Sequence, residues 1–264
     1  MFASLPYEDV LYENRDGAAW IIINRPKVYN AFRARTIEEL THAFLTAASD
    51  RAVGVVVLTG AGNKAFCTGG DQSAHEGDDD GRGVVGLTID ELHSAIRDIP
   101  KPVIARINGF AIGGGNVFAT LCDLSIAADT ARLGQVGPKV GSVDAGWGTA
   151  YLSRIVGEKK AREMWYLCEQ YSAQEALAMG LVNKVVPADE LDAAVNEWCQ
   201  KLLQRSPTAL ALAKRSFNCD TESIRGVSQF ALHAVKMFYA TEESREGVNA
   251  FNEKRAPDFQ RYVK

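Results

Sequence analysis

Ile107-Asn-Gly-Phe-Ala-Ile-Gly-Gly-Gly-Asn116 is the stretch on which the fold of this chain turns. An apolar strand, Pro102–Arg106, precedes it, and a short apolar helical run, Val117–Cys122, follows. The order strand, glycine turn, helix marks an α/β unit. Three consecutive glycines leave the first N–H groups of the helix uncovered. Those donors have no intrahelical partner, and the helix dipole adds positive potential there. The spot suits an oxygen that becomes negative during a reaction. Close strand–helix packing or a tight turn is the structural use of the same glycines.

Outward from this stretch the pattern repeats. Val10–Asn14 and Ala18–Asn24 read as a hairpin turning at Arg15-Asp16-Gly17. A loop, Asn24-Arg-Pro-Lys-Val-Tyr-Asn-Ala-Phe32, leads to a helix ending near Ser49. Thr36 is its expected cap, with Glu39 at capping-box spacing. Val53–Thr59 is continuously apolar, the mark of a strand buried on both faces. Gly60–Gly86 is a long glycine- and acid-rich loop containing Lys64-Ala-Phe-Cys-Thr-Gly-Gly-Asp71. Asp90–Asp98 reads as helix, Lys101–Ile107 as strand and Leu124–Ala128 as strand. A second glycine-rich loop, Gly134–Gly148, follows. Beyond it helices dominate: Tyr151–Ile155, Lys159–Cys168, Ala173–Met179, Asp189–Gln204, Pro207–Asn218, Ser223–Tyr239 and Glu242–Asn252, with one strand at Leu181–Val186. The expected organisation is an α/β core over 1–204 and a helical region over 205–264.

The bulk properties narrow the function. The chain has 264 residues, is 47% hydrophobic and carries a formal net charge of −4. That balance gives no electrostatic footprint for nucleic acid or an anionic membrane. Five scattered cysteines without a Cys-x-x-Cys pair suggest neither a zinc site nor a disulfide framework. No run approaches the ~18 apolar residues of a membrane span, and the N-terminus lacks a signal-peptide pattern. A cytoplasmic enzyme is the expectation. A dinucleotide-binding dehydrogenase is disfavoured, because Gly109–Gly115 lacks the Gly-x-Gly-x-x-Gly spacing. A non-catalytic scaffold would need Ser142 and Asp144 to be inert.

Three glycine-bearing loops each follow a strand, so they gather at the carboxyl ends of one sheet. The order Asn24-Arg-Pro, Ala65-Phe-Cys-Thr-Gly-Gly-Asp71, Gly109-Phe-Ala-Ile-Gly-Gly-Gly115 and Gly134-Gln resembles the crotonase (enoyl-CoA hydratase/isomerase) superfamily. The likeness runs nearly the whole chain, through Glu246-Gly-Val-Asn-Ala-Phe251. It implies a ββα spiral core, C-terminal trimerisation helices, a homohexamer built of two trimers, and an acyl-CoA substrate with no separate cofactor. The thioester oxygen would lie between the N–H groups of Gly70 and Gly114. CoA would be held by the Asn24–Phe32 loop, including Lys27, Val28 and Ala31, by Thr68, Asp71, Gln72 and His75, and by Lys254 of a neighbouring subunit. Both lysines read equally well as solvated surface cations.

Hydratases that resemble this chain carry two glutamates, at the positions of Val117 and Gly137. Ser142-Val-Asp144 stands here instead, two residues apart and therefore on one side of an extended segment. With Gly69-Gly-Asp-Gln72, this stretch resembles the branch holding 1,4-dihydroxy-2-naphthoyl-CoA synthase, and implies a tyrosine partner at Tyr239. The loop after Gln72 is shorter, acidic and without a tyrosine. Together with Glu91-Leu-His-Ser-Ala-Ile-Arg-Asp98, it is closer to the ring-opening relative, 2-ketocyclohexanecarboxyl-CoA hydrolase. The alternative is Dieckmann closure of o-succinylbenzoyl-CoA. Asp144 would be the base, Ser142 would orient water or alkoxide, and Tyr239 would relay a proton. From the residues alone, Asp144 is equally a cap for a helix starting near Trp147, and Tyr239 a packing residue. The resemblance also implies a small anion (bicarbonate) or an ordered water beside Gly137, held by Gln135 and Trp165.

Overall fold

The computed structural model describes residues 7–71 and 85–263. The chain opens with the hairpin β1 (Val10–Arg15) and β2 (Ala18–Ile23), paired in register from Val10–Ile23 to Arg15–Ala18. Helix α1 (Ala34–Ser49) leads to β3 (Val55–Gly60) and the short β4 (Ala65–Cys67). Next come α2 (Ile89–Asp98), β5 (Val103–Ile107), β6 (Phe110–Ile112), α3 (Gly114–Leu121), β7 (Leu124–Ala128) and β8 (Arg132–Gly134). Helices α4 (Leu152–Val156) and α5 (Glu158–Leu167), strand β9 (Gln170–Ser172), helix α6 (Ala173–Ala178) and strand β10 (Lys184–Val186) complete the mixed part. Four helices close the chain: α7 (Leu191–Leu203), α8 (Pro207–Asp220), α9 (Glu222–Tyr239) and α10 (Glu242–Asn252).

Two sheets result. The larger runs β1-β2-β3-β5-β7-β10, antiparallel at the hairpin and parallel thereafter. The smaller runs β4-β6-β8-β9, parallel except for its last pair. Strand β3 alternates between two cores. Val56 and Leu58 face the cluster shared with α1, α2 and α3, whereas Val55 and Val57 face the cluster under α7. The apolar run therefore encodes burial on both faces, as parallel sheets require. The second sheet has no counterpart in the strands expected from sequence. Its members span three residues each, too few for a period-2 pattern to show.

The cap of α1 also differs from expectation. The helix begins at Ala34, and Thr36 is its third residue. The Thr36 Oγ1 accepts the Arg33 N–H at 3.1 Å and donates to Asp9 Oδ2 at 2.6 Å. Glu39 is drawn off by the backbone N–H groups of Glu8 and Asp9. A tertiary contact has taken over a residue that local capping would have used.

The C-terminal helices are tied to the same chain's core by buried polar contacts. Lys214 Nζ donates to Ile96 O, Lys101 O and Asp123 Oδ2 at 2.7–3.0 Å. Asn218 Nδ2 donates to Arg97 O, and Arg97 donates to Thr221 Oγ1. Arg97 stacks over Trp147 and Tyr151 at 4.5 and 4.7 Å, a cation held by two ring faces.

Candidate active site

The glycines that follow β4 and β6 and open α3 bring two backbones unusually close. A Cβ on Gly115 would collide with the Cys67 carbonyl, so only glycine lets the start of α3 sit against the end of β4. Gly69, at φ +90°, packs so close to α3 that a Cβ on it would lie 3.3 Å from the Gly114 nitrogen. The N–H of Gly70 follows β4, and that of Gly114 opens α3. Neither donates to a partner among the described residues. Phe32 fills the angle between them: its N–H donates to Gly69 O, its carbonyl accepts the Asp71 N–H, and its ring packs on Gly114. The two free donors line one cavity of about 750 Å³.

The opposite wall is the loop 137–148. Here too glycine permits backbone contact. Gly141, at φ +75°, and Gly247 of α10 lie so close that a side chain on either would strike the other's segment. Ser244 Oγ donates to Gly141 O at 2.6 Å, and Gly146 rests against Ser228 of α9. The loop is thus clasped to α9 and α10, and α9 ends at Tyr239. Ser142 Oγ and Tyr239 OH form a 2.7 Å hydrogen bond across 97 residues of sequence. Asp144 Oδ1 accepts the Gly148 N–H at 2.9 Å, at the first turn of a π-helical segment, Trp147–Tyr151, where Tyr151 N–H reaches Gly146 O. The capping use of Asp144 is therefore real. It engages one carboxylate oxygen and leaves Asp144 in the cavity wall beside Ser142 and Tyr239. Burial raises the pKa of Asp144, and the Gly148 N–H opposes that only in part. Burial also raises that of Tyr239, with the Asp144 charge adding to it, so the phenol is protonated at neutral pH.

Val28, Ala31, Thr68, Asp71, Gln135, Gly137 and Trp165 line the same cavity. Thr68 and Asp71 already have partners in the chain: Thr68 Oγ1 donates to Tyr29 O at 3.3 Å, and Asp71 pairs with Arg25 at 2.9 Å. Lys27 is exposed on the turn just before Val28, and Lys254 is exposed two residues beyond Asn252, which lines the cavity in its own chain. Gln72 and His75 lie outside the described residues.

At Gly137 the direction a side chain would take is filled, while the glycine itself lines the cavity with Gln135 and Trp165. A Cβ there would stand 2.6 Å from Ser142 O and 2.9 Å from the Trp165 ring. Trp165 Nε1 is committed to Gly148 O at 2.5 Å. Of the two donors expected to hold an anion or water, only Gln135 is unengaged: it is 1% exposed, with neither amide atom partnered among the described residues. Val117 is a core residue of α3.

Phe32 and His93 are among the cavity residues that the sequence does not mark as site residues. Phe32 reads from sequence only as the end of a loop. His93 lies on the buried face of α2 between Ile89, Leu92 and Ile96, and is 2% exposed. A histidine interrupting an apolar stripe was the available signal. Among the described residues no cluster of three His, Cys, Asp or Glu side chains could hold a metal, and no helix is long and apolar enough to cross a membrane.

A spiral of two sheets sets unpartnered glycine amides against a polar loop, an arrangement suited to an oxygen that gains negative charge. The enoyl-CoA hydratase/isomerase family profile matches residues 13–262, and the chain belongs to that family. Similar solved structures include an enoyl-CoA hydratase from Mycobacterium avium subsp. paratuberculosis K-10, 30% identical over 96% of this chain and 99% of that one, TM-score 0.86. A carnitinyl-CoA hydratase from Mycobacterium avium is 30% identical over 96% and 98%, TM-score 0.83. An enoyl-CoA hydratase from Bacillus anthracis is 31% identical over 95% and 98%, TM-score 0.75. The fold is the crotonase fold, and the protein is an acyl-CoA-processing enzyme of that superfamily.

Proposed function

We propose that the enzyme hydrolyses a cyclic β-keto acyl-CoA, opening 2-ketocyclohexanecarboxyl-CoA to pimeloyl-CoA. The observation that carries this reading is the hydrogen-bonded pair Ser142–Tyr239 with Asp144 in the same cavity wall, facing the Gly70 and Gly114 amides. Asp144, a carboxylate made more basic by burial, takes a proton from water. The hydroxide adds to the ring ketone, and Ser142 steadies the tetrahedral alkoxide. That alkoxide collapses to a carboxylic acid and breaks the bond to the α-carbon. The electron pair passes into the thioester, whose enolate oxygen lies between the two amides. Two such donors contribute several kcal/mol of barrier lowering in a dry site. Tyr239, held protonated, supplies a proton to the α-carbon. Gln135 offers its free amide to the attacking water. Neither Val117 nor Gly137 provides the carboxylate that two-glutamate hydration needs, which favours C–C cleavage over hydration for this chain.

Lys27 and Lys254 attract the CoA phosphates. The exposed apolar residues Leu212, Phe217, Phe230 and Met237 on α8 and α9 favour assembly into a homohexamer, and the cytoplasm is the proposed location. Mass spectrometry after incubation with 2-ketocyclohexanecarboxyl-CoA tests the reaction. The expected product is the ring-opened thioester, heavier by one water. Conversion of o-succinylbenzoyl-CoA to a dehydrated bicyclic thioester, with the ketone untouched, would replace this reading with the synthase one.

A further inference from the structure

His93 lies in the cavity wall and has no part in the reaction proposed above. Both of its ring nitrogens are buried without a hydrogen-bond partner among the described residues. Its edge meets Phe118, with ring centroids 5.8 Å apart, and Phe118 in turn packs on Phe32 at 5.2 Å. Phe32 is the ring that touches Gly114 and lies 3.7 Å from the Cβ position of Gly70. The imidazole therefore stands two ring contacts from the paired amides, in the apolar part of the wall. Burial pushes its pKa down to about 3, so across the neutral range it is an uncharged ring with one donor and one acceptor. A buried polar group without a partner is costly, and native proteins seldom leave one. A leucine would suit the stripe of Ile89, Leu92 and Ile96 without that cost.

We infer that His93 is a specificity-determining residue that hydrogen-bonds an oxygen carried by the acyl group, so that the cavity prefers oxygenated cyclic acyl thioesters to hydrocarbon ones. The inference rests on the cyclic keto acyl-CoA reading for the identity of that oxygen. A site built to hydrogen-bond a substrate oxygen rejects the analogue that lacks it, because its own polar atoms are then left unpaired.

The test is calorimetric binding of two CoA thioesters that differ by one oxygen, 2-hydroxycyclohexanecarboxyl-CoA and cyclohexanecarboxyl-CoA, with ring opening of the ketone followed in parallel. The wild-type chain should bind the hydroxylated thioester about tenfold more tightly, the scale of one hydrogen bond at an otherwise unsatisfied buried group. His93→Leu should erase that preference while binding the hydrocarbon thioester at least as well. His93→Gln, which keeps a donor and an acceptor, should restore part of it. The preference should be constant between about pH 6 and 8, since the ring stays neutral. Equal wild-type affinities for the two thioesters, or a preference that survives in His93→Leu, would overturn the assignment. Should the leucine variant fail to fold by circular dichroism, His93→Phe takes its place and the wild-type comparison still decides. A normal preference without ring opening would overturn the proposed reaction and leave His93 standing. Ring opening without a preference would do the reverse.

Discussion

The two walls of the cavity are built in opposite ways. One presents backbone: the Gly70 and Gly114 amides, set by a β4–α3 contact that a single methyl group at Gly115 would block. The other presents side chains: Ser142, Asp144 and Tyr239, on a loop and a helix end gripped together by Gly141 and Gly247. Backbone donors at one point serve any reaction that passes through a thioester enolate. In the proposed reading, the side chains opposite decide which reaction that is. The contrast explains how a chain can share its fold with hydratases while lacking carboxylates at Val117 and Gly137.

The largest expected effect falls on the side-chain wall. Asp144→Asn should lower kcat by about 10²–10⁴-fold, while affinity for a CoA thioester changes little, because the amides and the CoA loop remain. A variant that keeps more than about a tenth of kcat would remove Asp144 as the base. The pH profile carries a sign of its own. Because the folded-state pKa of Asp144 is raised, kcat/KM should fall on acidification at a higher pH than a solvated aspartate would give. Stability should run the other way. Ionising a buried carboxyl destabilises the fold above the raised pKa, and this is relieved as pH falls toward the unfolded value. Asp144→Asn should therefore melt no lower than wild type at neutral pH, with any advantage shrinking in acid.

Ser142→Ala and Tyr239→Phe each remove one end of the 2.7 Å bond. Each should cost about 10²-fold in kcat, and the double variant no more than the worse single one, since the two groups act as a unit. Additive losses would separate them. On the backbone wall, Gly114→Ala places a methyl 2.7 Å from the Phe32 ring, whereas Gly70→Ala meets that ring only at 3.7 Å. Kinetics of the pair should show a loss on the order of tenfold or more for Gly114→Ala, and a clearly smaller one for Gly70→Ala, because only the first displaces an oxyanion donor. Lys27→Ala should raise KM for CoA thioesters a few-fold and leave kcat alone, with the difference fading at high salt. The smallest effect is expected from bicarbonate. With Trp165 committed to Gly148 O, rates in bicarbonate-free buffer should match those with bicarbonate, chloride or nitrate.

Sequence and structure agree most where a signal is local and repeated. The apolar runs of β2, β3 and β5, the strand–glycine–helix stretch around Gly113–Gly115 and the helical periodicity after residue 190 all locate elements to within a few residues. The second sheet was not legible, because Ala65–Cys67 lies inside one expected glycine loop and Arg132–Gly134 runs into the start of another, and only their neighbours supply the ladder. The capping role of Asp144 was legible from spacing, and the residue turns out to cap and face the cavity at once. The crowding at Gly137 was not legible, since the occupant is a carbonyl from Ser142, five residues on, folded back by the loop itself. His93 interrupts an apolar stripe, a mark that by itself does not place a residue at a site. Only the packed rings of Phe118 and Phe32 tell that it borders the cavity.

The clasp between Gly141 and the Ser244–Gly247 turn has a temporal consequence. During synthesis the ribosome delivers both amides, the serine and the aspartate well before it delivers Tyr239 and the turn that grips the loop. A chain emerged only through α7 carries every strand of both sheets yet has neither the phenol nor the clasp. The residues of the proposed chemistry are thus completed last, and a stop codon between α8 and α9 would leave a chain with neither the phenol nor the turn that grips the loop.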